Sequence, residues 1–105
     1  MAEYEITPGV QSDLLDIGRY TTRTWGAAQA LRYKASLTGA FAAIARDEIR
    51  SRAVKKSRPE LRFARCEHHY IFFQVREGRE PLILAVLHER MELMERLKER
   101  LSRSW

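Results

Sequence analysis

The stretch HYIFFQVREGREPLILAVLHERMELMERL, residues 69–97, decides the fold. It opens with a strand-like run, His69 to Arg76, rich in aromatic and β-branched residues. Glu77-Gly78-Arg79-Glu80-Pro81 then supplies the turn chemistry of a hairpin loop. The next run, LILAVL from Leu82 to Leu87, is apolar without alternation, the pattern of a strand covered on both faces and central in a sheet. From Glu89 onward the period changes to that of a helix. Met91, Met94, Leu97 and Leu101 recur on one side, and Glu92–Arg96 and Glu99–Arg103 are spaced as i,i+4 pairs outside.

Upstream, Leu61 to Cys66 reads as one more strand of the same meander. The segment before it has a different character. Arg46 to Arg65 holds eight Lys or Arg against three acids, and Pro59 stops any helix, so Arg52 to Glu60 reads as a basic connection.

The first half of the chain is helical. Glu3 to Thr7 alternates as a short strand, and Thr7-Pro8 is a helix start, with Thr7 as N-cap and Pro8 where a missing N–H costs nothing. Val10, Leu14, Ile17 and Thr21 share a face, with Asp13, Asp16, Arg19 and Arg23 largely off it. Gly26 can close this helix in a left-handed conformation. A second, alanine-rich helix follows at once, its pattern carried by Leu31, Leu37, Phe41 and Ile44. The order β-α-α-β-β-β-α predicts an α+β fold in one domain over residues 1–105, a helical hairpin packed on a small, mainly antiparallel sheet with a C-terminal helix.

Composition narrows the function classes. Nineteen Lys and Arg against fourteen Asp and Glu leave a charge of +5, which favours acidic partners, either nucleic acid or protein. The single cysteine, Cys66, forms no internal disulfide and reads as a small buried hydrophobe in a reducing compartment. The first residues, MAEYEITPG, lack the apolar run of a secretory signal, and no apolar stretch reaches the roughly 20 residues that span a bilayer, so a cytoplasmic protein is expected. Three histidines and one cysteine without close ligand spacing predict neither a metal nor a cofactor.

Several residues could serve chemistry: Arg62, Arg65, His68, His69, Tyr70, His88 and Arg90 lie in or beside the sheet. His68 and His69 are adjacent on a strand and point to opposite faces, so they do not share a site. His69 shares its face with Ile71, Phe73 and Val75 and reads as a satisfied, partly buried histidine ahead of a general base. His88 ends a buried strand, where it can hydrogen-bond the turn or face a ligand.

Three motifs carry a family resemblance over nearly the whole chain. They are YEITPGV with DLLDI at Asp13 to Ile17, WGAAQALRY from Trp25 to Tyr33, and HHYIFF at His68 to Phe73 followed by VLHERME at Val86 to Glu92. Together they resemble the ParE branch of the RelE/ParE toxin superfamily, whose final strand ends in Val-Leu-His and whose last helix is entered through Arg-Met-Asp. Here Glu92 replaces the Asp, and the Pro and Gly usual after the second helix are missing.

The resemblance implies a non-enzymatic toxin of a type II toxin-antitoxin pair, which binds DNA gyrase and traps its cleaved-DNA state. It also implies a ParD-like antitoxin that wraps and silences the toxin in a hetero-oligomer. Leu14, Ile17, Leu37, Phe41, Met91 and Met94 are the candidate antitoxin contacts; Arg62, Arg65, His88 and Arg90 are the candidate target contacts. The RelE-like alternative, ribosome-dependent messenger RNA cleavage, would fall to His69, His88 and Arg90, although Tyr70 stands where that branch tends to carry an arginine. An inactive relative that only binds its antitoxin is the third reading.

Overall fold

In the computed structural model, residues 3–104 are described, with side chains through residue 102. The elements are β1 (Glu5–Ile6), α1 (Pro8–Trp25), α2 (Ala27–Ala45), β2 (Arg52–Lys55), β3 (Arg58–Cys66), β4 (His69–Gln74), β5 (Leu82–His88) and α3 (Leu93–Ser104). The class is α+β, as the periodicities predict. The sheet has one strand more than expected, in the order β1-β5-β4-β3-β2. The basic connection is therefore a hairpin: β2 and β3 run antiparallel, with Lys55 opposite Arg58 around a two-residue turn. Pro59 sits near the start of β3, where it breaks a helix but is tolerated in a strand.

Both helix boundaries follow their local signals. The Thr7 hydroxyl accepts the Val10 N–H at 3.2 Å, with Pro8 in the first turn. Gly26 takes φ 93° and ψ 165°, a conformation reserved for glycine, so α1 and α2 reverse direction across one residue. The core face of α2 differs from the expected one: Tyr33, Leu37, Ala40, Phe41 and Ile44 are buried, whereas Leu31 is 71% exposed.

The sheet separates two cores. On one face the helical hairpin packs Val10, Leu37, Phe41 and Ile44 on Ala64, Ile71, Phe73, Ile83 and Val86. On the other face α3 lays Leu97, flanked by Leu93 and Leu101, on Phe72, Ala85 and Leu87. The α3 face thus differs from expectation, because the helix starts at Leu93 and leaves Met91 and Met94 at the surface. Arg96 meets Glu99 at 3.8 Å rather than Glu92, and the Glu99–Arg103 pair lies outside the described side chains.

β5 is interior and covered on both faces, while β4 is the middle strand of the five. A bulge shapes β5. Phe72 pairs with Ala85 but Phe73 pairs with Ile83, so Leu84 is an extra residue. Ile83 and Val86, three apart, consequently face the same core.

β1 pairs in parallel with only the first residues of β5, Glu5 with Leu82 and Ile6 with Ile83. Beyond them α1 takes over the edge. The Thr7 N–H donates to the Ile83 carbonyl at 3.2 Å, and the Val86 N–H donates to the Asp13 carboxylate at 2.9 Å. Arg100 reaches round from α3 to the same carboxylate at 2.8 and 2.9 Å and to the Leu84 carbonyl at 3.1 Å. Asp13 is therefore not on the solvent side of α1; it joins both helical layers to the bulge.

Candidate functional site

Two surfaces carry features that the cores do not explain. The first is the outer side of the helical hairpin. Between α1 and α2 runs an open groove of about 1030 Å³, floored by Leu14, Ile17, Ala30 and Leu37 and edged by Leu15, Leu31, Arg19, Arg23 and Lys34. Leu15 and Leu31 are 60% and 71% exposed. The cause is geometric. Two antiparallel helices meet along small residues and bury one stripe each on the sheet, so any second apolar stripe is left on the outer face.

The structure brings together some of the expected antitoxin contacts and disperses others. Leu14 and Ile17 are half-buried on the groove floor, and Leu37 lies beneath them there with no exposed surface. Phe41 is corrected from a contact to a core residue, 1% exposed and edge-on to Tyr4 at 5.5 Å. Met91 and Met94 lie by α3, across the sheet from the hairpin, so these six residues do not form one patch. Leu15 and Leu31 were missed as surface residues. The available signal was the doubled leucine at 14 and 15, of which a helix can turn only one inward.

The second surface is the end of the sheet where β3, β4 and β5 align Cys66, His69 and His88 across three strands. His69 and His88 meet edge to face at 5.1 Å on the hairpin side. Tyr33 from α2 closes the cluster: its hydroxyl lies 2.5 Å from His69 Nδ1 and accepts the His68 N–H at 3.3 Å. This contact occupies Nδ1 of His69 whichever of the two groups carries the proton. Burial, reinforced by His88 and His68, holds the His69 pKa down at about 4. Burial also pushes the Tyr33 phenol up. The Cys66 thiol, raised by burial as well, points to the Ser36 carbonyl at 3.7 Å.

On the opposite side of the same end, Arg65 lies over the Tyr70 ring at 5.4 Å and pairs with Glu89. Glu89 also holds His68 at 3.0 Å, and these partners, His68 first, keep its carboxyl below the ordinary range. His88 Nδ1 accepts the Arg90 backbone N–H at 3.1 Å, so the turn fixes its ring.

The four expected target contacts are likewise split. Arg62 is elsewhere, bracing β2 to β3 through Ser51 at 2.8 and 2.9 Å. Arg65 and His88 sit on opposite faces, and Arg90 is exposed in the turn. Among the described residues no group of three or more His, Cys, Asp or Glu is placed to hold a metal ion, and no helix is long and apolar enough to cross a membrane. The arrangement offers contact surfaces with fixed histidines. Neither the hairpin groove nor the smaller hollow lined by Arg58, Glu60, Gln74 and Leu101 contains His69, His88 or Arg90.

A helical hairpin on a five-stranded mixed sheet, closed by a terminal helix and left with an open outer groove, makes a small α+β protein with a surface to offer a partner. A family model described as the ParE toxin of the type II toxin-antitoxin system, parDE, matches residues 4–93, and the chain belongs to this family. It is 48% identical over 101 residues to a Toxin ParE of Escherichia coli, covering 96% of this chain and 98% of that protein. A solved structure of the chromosomal ParDE TA system from P. aeruginosa shares the fold at a TM-score of 0.67 and 18% identity, covering 81% of this chain and 92% of that one.

Proposed function

We propose that the chain is a cytoplasmic, non-catalytic growth inhibitor that binds DNA gyrase, traps its cleaved-DNA state, and is silenced by a ParD-like antitoxin. The observation that carries the antitoxin part is the groove between α1 and α2. It is apolar along its floor, rimmed by Arg19, Arg23 and Lys34, and long enough to receive an acidic amphipathic segment. Covering Leu15 and Leu31 alone would contribute about 3–5 kcal/mol of apolar burial. The full-length likeness to a protein called Toxin ParE supports the toxin reading, and the solved relative, which belongs to a ParDE system, supports an antitoxin partner.

The histidine end supports contact rather than cleavage. RNA cutting requires a free base beside an unneutralised cation. His69 Nδ1 is taken by Tyr33, and His88 Nδ1 accepts the Arg90 backbone N–H, so neither Nδ1 is a free base.

Expression without antitoxin should arrest growth with DNA damage, and gyrase should co-purify. Ribosome-dependent transcript cutting with intact chromosomes would refute the gyrase reading in favour of RNA cleavage. No growth defect at high expression would leave antitoxin binding as the whole function. Leu15→Glu with Leu31→Glu should abolish antitoxin binding and leave the fold intact; unchanged binding places the antitoxin elsewhere.

A further inference from the structure

The segment from Arg50 to Arg58 contains five Lys and Arg and no acid, and it accounts for the whole excess of positive charge. Outside it, fourteen Lys and Arg balance fourteen Asp and Glu. Among the described residues outside the segment, Arg19, Arg46, Arg65, Arg76, Arg79, Arg96 and Arg100 each meet a carboxylate, and the cations that do not, Arg23, Arg32, Lys34, Arg62, Arg90 and Lys98, are scattered over other elements. Within the segment only Arg58 does so, at 3.1 Å from Glu60, and among the described residues Arg50, Arg52, Lys55 and Lys56 are in no ion pair.

The tertiary structure makes this charge a shaped object. β2 is an edge strand, and with the start of β3 it forms a two-stranded ribbon whose turn carries Lys55, Lys56 and Arg58, all exposed. Arg62 ties its root to the Ser51 hydroxyl and carbonyl and to the Pro59 carbonyl, so the ribbon is held rather than left loose. From Arg50 to Lys55 an extended backbone spans up to roughly 17 Å, about half a turn of duplex DNA.

We propose that this ribbon is a sequence-independent contact for the phosphate backbone of duplex DNA. Unpaired Lys and Arg on a two-stranded ribbon suit the width of a major groove and the charge that flanks it. An acidic protein strand would also match the charge, but it needs pockets for alternate side chains. This edge offers only Ala53 and Val54, and Val54 is packed into the α3 core. Single strands are disfavoured as well, because Phe63, the aromatic opposite Arg52, is packed edge-on to Tyr70 and tilted against Phe72 in the α3 core.

Fluorescence anisotropy of a short labelled duplex with the purified chain tests the proposal without gyrase, so its failure leaves the gyrase reading standing, and the converse holds. Four phosphate contacts predict a slope of log affinity on log salt of about −3.5, roughly a 100-fold loss between 50 and 200 mM salt. Combining Arg50→Gln, Arg52→Gln, Lys55→Gln and Lys56→Gln should weaken binding at low salt at least about 10-fold and flatten the slope. All four side chains are exposed, so the fold should survive, as circular dichroism will report. Arg19→Gln, Arg23→Gln and Lys34→Gln, on the hairpin groove, should leave binding unchanged. The proposal is overturned if the parent chain does not bind duplex, if the groove variant loses binding instead, or if the ribbon variant matches the parent. A glutamate-rich peptide that displaces the duplex and binds more tightly at the same salt would also overturn it, assigning the ribbon to an acidic protein.

Discussion

Replacing Asp13 with Ala should be among the most destabilising single changes on α1, although Asp13 reads in sequence as a solvent-side residue. Its carboxylate accepts from the Val86 N–H and from two nitrogens of Arg100, and the two side chains are only 13% and 18% exposed. The deletion strands a backbone N–H at the β5 bulge and a guanidinium between layers. Breaking a buried pair from one side costs about 3–5 kcal/mol. Arg100 keeps the Leu84 carbonyl and some water, so about 2–3 kcal/mol is expected here, against a total of about 5–15 kcal/mol for a domain of this kind. The midpoint of thermal unfolding, followed by circular dichroism, should fall by about 10–20 °C. Asp13→Asn, which keeps an acceptor for Val86 but loses the charge, should cost about half as much. Asp13→Leu combined with Arg100→Met should cost less than the two single changes added, because no charge is stranded. Gly9→Ala should reproduce part of the loss, since a Cβ there comes within 2.9 Å of the Arg100 side chain. A change of less than about 0.5 kcal/mol for Asp13→Ala would refute the reasoning and reduce the pair to a surface contact.

The remaining predictions rest on single sites. His69 is neutral when folded, with its pKa near 4 against 6.5 for an ordinary histidine, so below pH 6.5 the unfolded chain binds a proton that the folded chain refuses. Stability should therefore fall as pH drops from 6.5 to 4, by up to about 3 kcal/mol, and urea melts of His69→Phe should lack that component of the slope. Gly26→Ala should destabilise by about 1–3 kcal/mol, because φ 93° is imposed on a residue with a Cβ, while Gly39→Ala should stabilise by about 0.5–1 kcal/mol in open space on α2. Chemical denaturation of the pair checks both signs. Leu97→Ala should cost about 2–5 kcal/mol by emptying the α3 core, with a lowered urea midpoint as the readout.

Much of the fold was legible because its signals are short-ranged. The Thr7-Pro8 cap, the Gly26 reversal and the apolar run of β5 act within a few residues, and each appears where it was expected. β2 was not legible. Arg-Ala-Val-Lys has neither length nor clean alternation, and its pairing depends on Phe63 and Arg62, which lie across a turn. Charge correctly marked the segment as unusual and concealed that it was a strand.

The candidate contacts show the same division. An apolar period of about 3.6 says that a helix has a face, and it cannot say whether that face meets the sheet or the solvent when two stripes compete. Leu31 fits the pattern of α2 and is exposed; Phe41 was expected at a partner surface and is enclosed. Met91 and Met94 were expected inward, but α3 begins two residues after Met91 and rotates its buried stripe onto Leu93, Leu97 and Leu101.

By itself the amino-acid order determined the elements that local free energy selects: where α1 starts and where it reverses into α2, which runs become core strands, and that the net charge is concentrated around the start of β3. The tertiary structure alone decided what distance in sequence hides. It brought Asp13 to Arg100 across 87 positions, turned a basic tract into an edge ribbon, and left the outer leucines of the hairpin uncovered. The physical reason is that a pairing or a burial is chosen by what else the surface can meet, and those alternatives exist only after the chain has closed on itself.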